Sequence, residues 1–191
     1  HAVEAFISRF STPISDGMAL EAMRLVAGNL ERFYSRSSDM DAAGSMLLAS
    51  TMAGIAFGNA RTAAAHAMAH ALGGYYNTGH GIACAVVLPA TLSFIRETVP
   101  ERLSRIAAAL GEKTDGQSSD SGAKKAIQAI ARLSKRLGIP ENLQGLGVKK
   151  EDLDLLSENA MATGIQVASP REVGLKEMRS LFEQAWRQQD I

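Results

Sequence analysis

"AAAHAMAHALGGYYNTGHG", residues 63–81, holds three of the four histidines of a 191-residue chain. His66 and His70 are four apart, so on a helix both project from the same face. His80 stands beyond Gly73 and Gly74 at the start of the next apolar tract. A tight reversal between the two tracts returns it toward His66, and three imidazoles can then converge. The alanine-rich tract before the glycines reads as helix, and so does the tract after them, which makes helix packing the framework of the fold.

Working outward, "HGIACAVVLPATLSFI" (80–95) reads as a buried helix kinked at Pro89. Upstream, "DAAGSMLLASTMAGIAFGNA" (41–60) is apolar on nearly every side, which predicts a buried helix capped by Ser38 or Asp39. "RTAAAHAMAHAL" (61–72) is expected to continue as helix to a left-handed cap at Gly73 and Gly74. Earlier still, Ala19, Met23, Val26, Leu30 and Phe33 recur at helical steps opposite Glu21, Arg24 and Glu31, after a breaker at residues 11–13. Ser15 or Asp16 is the expected cap of that helix. The opening "HAVEAFIS" has apolar residues at helical spacing and no initiator Met, and reads as a fragment of something longer, cut within a helix.

Downstream, Pro100 suits the first turn of "PERLSRIAAAL", closed by Gly111, and "EKTDGQSSDSG" (112–122) reads as a polar loop. Ala123, Ile127, Ile130, Ser134 and Leu137 mark one face of a helix stopped by Gly138 and Pro140. Residues 150–161 and 175–187 supply two more helices, joined by "TGIQVASPREVG". There is no period-two segment, internal repeat or glycine-rich phosphate loop. The fold class is therefore all-α, a helical bundle-like domain over residues 1–191 with no nucleotide-binding fold of its own.

Composition bounds the function. Lys plus Arg and Asp plus Glu balance at 20 each, so no net field favours nucleic acid or an anionic membrane. One cysteine, Cys84, excludes an internal disulfide framework, and a cytoplasmic location is the expectation. Apolar runs such as 82–89 are too short to span a bilayer. Neutral imidazole suits iron, zinc, nickel or copper, and the absence of a Glu after His66 excludes the H-E-x-x-H pattern of zinc proteases. Against this stands the reading in which each histidine is a buried, hydrogen-bonded core residue.

The segment "AFGNARTAAAHAMAHALGGYYNTGHGIACAVVLP" resembles the signature of the iron-containing (group III) alcohol dehydrogenases. "HAVEAF" resembles that family's metal-binding helix, which reads Asp, three residues, His, two residues, Glu, with His1 on its histidine. "SPREVGLKEMRSLFEQAW" resembles its closing helix and the segment before it. The resemblance covers essentially the whole chain as the C-terminal helical half of a dehydroquinate synthase-like two-domain enzyme, with the N-terminal nucleotide-binding domain absent.

The resemblance implies that His1, His66 and His80 are metal ligands for Fe2+ or Zn2+. The family's fourth ligand, an Asp four positions before His1, falls ahead of the first residue. It also implies that His70 is a catalytic proton-relay group beside the nicotinamide, although its spacing alone makes it a natural co-ligand of His66. Phe57 would line the alcohol pocket, with core packing as its other reading. Asn59, Asn77 and Gly81 match family positions that shape the turn and cleft. Ile95 and Ser169 depart from the family, each standing where Asn is common. Cys84 reads as packing.

The implied activity is hydride transfer between a small alcohol or aldehyde and NAD or NADP, the cofactor being held mainly by the absent domain. A homodimer or a self-associating fragment is implied as well. The alternatives are a metal-free relative such as a maleylacetate reductase, and a non-catalytic helical interaction module with buried histidines.

Overall fold

The computed structural model describes residues 1–187. Among them the helices are α1 (Ala2–Ile7), α2 (Pro13–Ser35), α3 (Met40–Ala60), α4 (Ala64–Tyr76), α5 (His80–Ile95), α6 (Pro100–Ala109), α7 (Ser119–Arg136), α8 (Leu153–Ala162) and α9 (Leu175–Arg187). Short 3-10 turns at Gln144–Leu146, Lys150–Asp152 and Ile165–Ala168 punctuate the connections, and there is no strand among the described residues. The all-α expectation holds.

Helix α5 is the spine. Its Ala83, Val86, Val87 and Ala90 enter a core with Met68 and Leu72 of α4, Leu153 and Leu156 of α8, and Met178, Leu181 and Phe182 of α9. Its Leu92 and Ile95 enter a second core with Phe6 of α1, Met23 of α2, Leu103 and Ile106 of α6, and Ile127 of α7. Burying those side chains is the main force holding the helices together. Pro89 lies inside α5 as expected, without ending it.

Arg102 fastens α1 to its neighbours. Its Nε donates to the Phe6 carbonyl at 2.7 Å, a terminal nitrogen donates to Asp16 Oδ1 at 2.5 Å, and its guanidinium covers the Phe6 ring at 4.1 Å. Asp16 is thus an ion-pair partner and does not cap α2. Thr12 is the cap, accepting from the Ser15 N–H, while the Ser15 hydroxyl accepts from the Thr12 N–H and closes a capping box. Pro13 at the first helical position, read from sequence as part of a breaker, starts the helix instead.

Helix α3 corrects another expectation. Asp39 caps it as anticipated, accepting from the Ala42 N–H at 3.0 Å, but the helix is not buried. Ala42, Ala49 and Ala56, seven apart, form the buried seam, whereas Leu47 is 73% and Met40 77% exposed. A seam of methyl groups lets α3 lie close along α2, and the larger side chains turn outward. By length and apolar composition α3 is also sufficient to cross a membrane, contrary to the reading of shorter runs.

The helical tract does not run unbroken from 41 to 72. It stops at Arg61, where φ 66 and ψ 167 place a non-glycine residue in a conformation that L side chains rarely adopt. The Ser8 hydroxyl donates to the Ala60 carbonyl at this break. Helix α4 then runs through Gly73 and Gly74 to Tyr76, and Asn77, not glycine, takes the left-handed cap at φ 51 and ψ 31. Asn tolerates that conformation better than other side chains do. The polar loop after Gly111 is shorter than expected, because Ser118 caps α7 by accepting from the Ser121 N–H at 3.2 Å.

Candidate metal centre

Each histidine of the candidate cluster comes from a different structural position. His1 precedes α1, His66 lies in the first turn of α4, and His80 opens α5 beyond the Asn77 reversal. The fold brings them together, with one ring nitrogen from each within 4.8 Å of the others. Ring centroids are 4.4 Å apart for His1 and His66, 5.2 Å for His66 and His80, and 6.2 Å for His1 and His80. His1 and His80 are exposed and His66 is buried, so the cluster is open to solvent on the side of His1 and His80.

His66 carries the most informative atom. Its Nδ1 pairs with Glu4 Oε2, and its Nε2 is buried with no hydrogen-bond partner among the described residues. A satisfied core histidine would not leave that nitrogen bare. The interaction-module reading, which needs such a histidine, loses its support here. An orphaned imidazole nitrogen aimed among two more imidazoles is a donor set that fits a divalent first-row metal such as iron or zinc. Partial desolvation and the neighbouring His66 and His70 lower the His80 pKa, which favours the neutral ring a metal requires.

The start of α4 explains how His66 is held. Ala63, the helix cap, offers no side-chain hydrogen bond, so the free N–H groups are taken by distant residues. Ser169 Oγ accepts from Ala64 N at 3.2 Å, Glu4 Oε1 from Ala65 N at 2.7 Å, and Glu4 Oε2 from His66 N at 3.3 Å. Glu4 is 2% exposed. Burial alone would raise its pKa, but the hydrogen bond and electrostatic pull of His66, with the amides at the start of α4, hold the carboxyl below its ordinary range. Sequence reasoning placed Glu4 in the family's helix pattern without giving it a role. The signal was its position three after His1, which puts it in the first turn of the helix that His1 caps. Ser169, read as a departure, does the work of a cap.

His70, one turn beyond His66, is exposed, and its ring stands edge-on to His80 at 5.4 Å, outside the three-histidine cluster. Phe57, in the last turns of α3, stacks on His1 with centroids 4.3 Å apart, so it touches the cluster directly and does more than fill the core. Asn59 turns back to the Ile55 carbonyl, its Nδ2 donating at 2.8 Å. Cys84, one turn after His80, has its Sγ 3.6 Å from His80 Nε2 and also packs against the core, where burial pushes the thiol up to about 12. A separate groove of about 430 Å³ between α5 and α7, lined by Val86, Pro89, Gln128, Lys135 and Ile139 among others, contains none of the histidines.

The geometry can be set beside known proteins. The family described as "Fe-containing alcohol dehydrogenase family, C-terminal" matches residues 1–186. The 1,3-propanediol dehydrogenase of Citrobacter freundii is 44% identical over 186 residues, covering 97% of this chain and 48% of that protein. Lactaldehyde reductase of Escherichia coli (strain K12) is 34% identical over 186 residues, again 97% of this chain and 48% of that protein. The crystal structure of a 1,3-propanediol oxidoreductase superposes with a TM-score of 0.95 at 42% identity, over 97% of this chain and 49% of that one. Maleylacetate reductase from Rhizobium sp. strain MTP-10005 gives a TM-score of 0.80 at 30% identity, over 98% of this chain and 49% of that one. The chain spans about half the length of the curated relatives it matches. Sequence, fold and the convergence of the three histidines agree: the chain belongs to the Fe-containing alcohol dehydrogenase family, as its C-terminal helical domain.

Proposed function

We propose that this chain is the metal-carrying half of an NAD(P)-linked dehydrogenase that interconverts a small alcohol and its aldehyde, with a hydroxylated three-carbon compound as the substrate class. The observation that carries the reading is the convergence of His1, His66 and His80 around the orphaned Nε2 of His66. The substrate class follows the names of the relatives, 1,3-propanediol dehydrogenase and lactaldehyde reductase. The higher TM-score and identity to the propanediol oxidoreductase than to maleylacetate reductase favour the alcohol dehydrogenase reading over the maleylacetate reductase one.

In this reading His1, His66 and His80 hold Fe2+ or Zn2+, which when bound supplies Lewis-acid polarisation of the substrate oxygen. Phe57 lies flat on His1, fixing that ring and keeping water from one side of it. His70, exposed at the rim, exchanges a proton between the substrate hydroxyl and solvent through its ring nitrogens. NAD or NADP is held mainly by the N-terminal nucleotide-binding domain of the parent enzyme, and the open side of the histidine cluster is where the two halves meet. The exposed Met40, Leu47, Leu48 and Ile55 of α3 support self-association as a homodimer, which sedimentation at rising concentration measures.

The test is NAD(P)H oxidation with lactaldehyde or 3-hydroxypropanal by the protein that carries this chain. Activity that requires metal, and that falls on the order of 100-fold in His70→Ala with metal content unchanged, is the expected result. Metal-independent turnover would reject the metal-dependent branch.

A further inference from the structure

Glu4 makes contacts that reach beyond a core carboxylate. Its two oxygens accept from Ala65 N at 2.7 Å and from His66 N at 3.3 Å, and Oε2 also faces His66 Nδ1. It is carried on α1 directly behind His1, whose carbonyl accepts from Ala5 N at 2.9 Å in the same first turn. One side chain therefore joins the backbone that carries His1 to the helix start that carries His66. The two backbone amides can only donate, so both oxygens are committed as acceptors. A third donor against Oε2 would satisfy the carboxylate, and His66 Nδ1 stands where that donor is needed.

We infer that Glu4 is a positioning residue that fixes His66 as the Nδ1–H tautomer, so that the bare Nε2 lone pair points into the histidine cluster before any metal arrives. The inference rests on the metal-ligand reading for its purpose, but the tautomer itself is a property of the chain alone. A ring nitrogen that is already bare and immobile needs no rearrangement to become a ligand, which is the physical use of outer carboxylates on ligating histidines. Glutamine at position 4 offers one oxygen and one NH2 group. If the oxygen keeps the Ala65 amide, the NH2 faces His66 Nδ1 and selects the opposite tautomer, with the proton on Nε2 where the metal would bind. If the amide flips, Ala65 N–H loses its partner.

The experiment is nitrogen-15 NMR of the histidine rings in the metal-free chain, with His66 assigned by comparison with His66→Gln. The wild-type chain needs no variant for the first result: a pyridine-like Nε2 and a protonated Nδ1 are expected. Glu4→Gln is expected to populate the Nε2–H tautomer, and its affinity for Co2+, followed by visible absorption, to fall about 10- to 100-fold. An Nε2–H tautomer in the wild type overturns the inference. So does an unchanged tautomer in Glu4→Gln while the Ala65 amide stays protected from hydrogen exchange, or a changed tautomer with unaltered Co2+ affinity; an unchanged tautomer with Ala65 exposed to exchange reports the flipped amide, whose oxygen still accepts from Nδ1–H. Absence of Co2+ binding by the wild type would instead refute the metal reading, while the ring spectra still decide whether Glu4 sets the tautomer.

Discussion

The rings of His66 and His80 lie 5.2 Å apart although fourteen positions separate them in sequence, and the reversal between them turns on Asn77 at φ 51. The left-handed conformation of that one residue lets α5 start beside the first turn of α4. Asn77→Val, β-branched and poorly suited to positive φ, is expected to destabilise the chain by about 1–2 kcal/mol, and Asn77→Gly to be tolerated. Urea denaturation midpoints of the two variants check this. Equal loss in both would show that the Asn side chain, and not its backbone, is what matters.

Gly122 permits the close approach of α7 to α6. A Cβ built there would run into Ser104 Oγ and meet Ser104 Cβ at 2.6 Å and Ser104 Cα at 3.1 Å. Rotation of the serine hydroxyl relieves only the first of these contacts. Gly122→Ala is therefore expected to lower stability by about 1–3 kcal/mol despite the better helix propensity of alanine. Adding Ser104→Gly should recover part of the loss, a coupling that a double-mutant cycle reads directly.

Tyr76, at the end of α4, donates its hydroxyl to Asp152 and accepts from Lys149 N at 2.9 Å. Burial and the Asp152 carboxylate raise its pKa above the ordinary value of 10.0. The folded state thus favours the protonated phenol, and the stabilisation is fully present below pH 10 and lost as pH rises through the raised folded value. Tyr76→Phe should cost about 1 kcal/mol at neutral pH. The gap between wild type and variant, from denaturation at successive pH values, should stay flat up to ordinary tyrosine pH and then shrink. A gap that widens above pH 10 would reverse the sign and contradict the assignment.

The fold class and most helices were legible because apolar residues recur at helical steps, as in α2, α7 and α9, and because Pro100 and Asp39 mark helix starts with ordinary local chemistry. The misread points share one physical cause, which is that the deciding partner is distant in sequence. Nothing local to 61–63 announces a break, since the open N–H groups just after it, on Ala64 and Ala65, are satisfied by the distant Ser169 and Glu4. Nothing within α3 distinguishes its alanine seam from its exposed leucines until α2 is placed beside it. The histidine cluster was legible in part: the spacing of His66 and His80 across a turn allowed convergence, but spacing also favoured His70 as a co-ligand. The family resemblance set His70 aside, and the geometry likewise leaves it beside His80 and outside the three-histidine group.

The proposed role of His1, His66 and His80 is to hold one metal ion between them. Its most direct test is elemental analysis of the purified chain after reconstitution with Fe2+ or Zn2+, beside His66→Ala and His80→Ala. About one equivalent of metal per wild-type chain is expected, lost in both variants while their helical content is retained. A wild-type chain that takes up no metal, or variants that retain as much as the wild type, would contradict it.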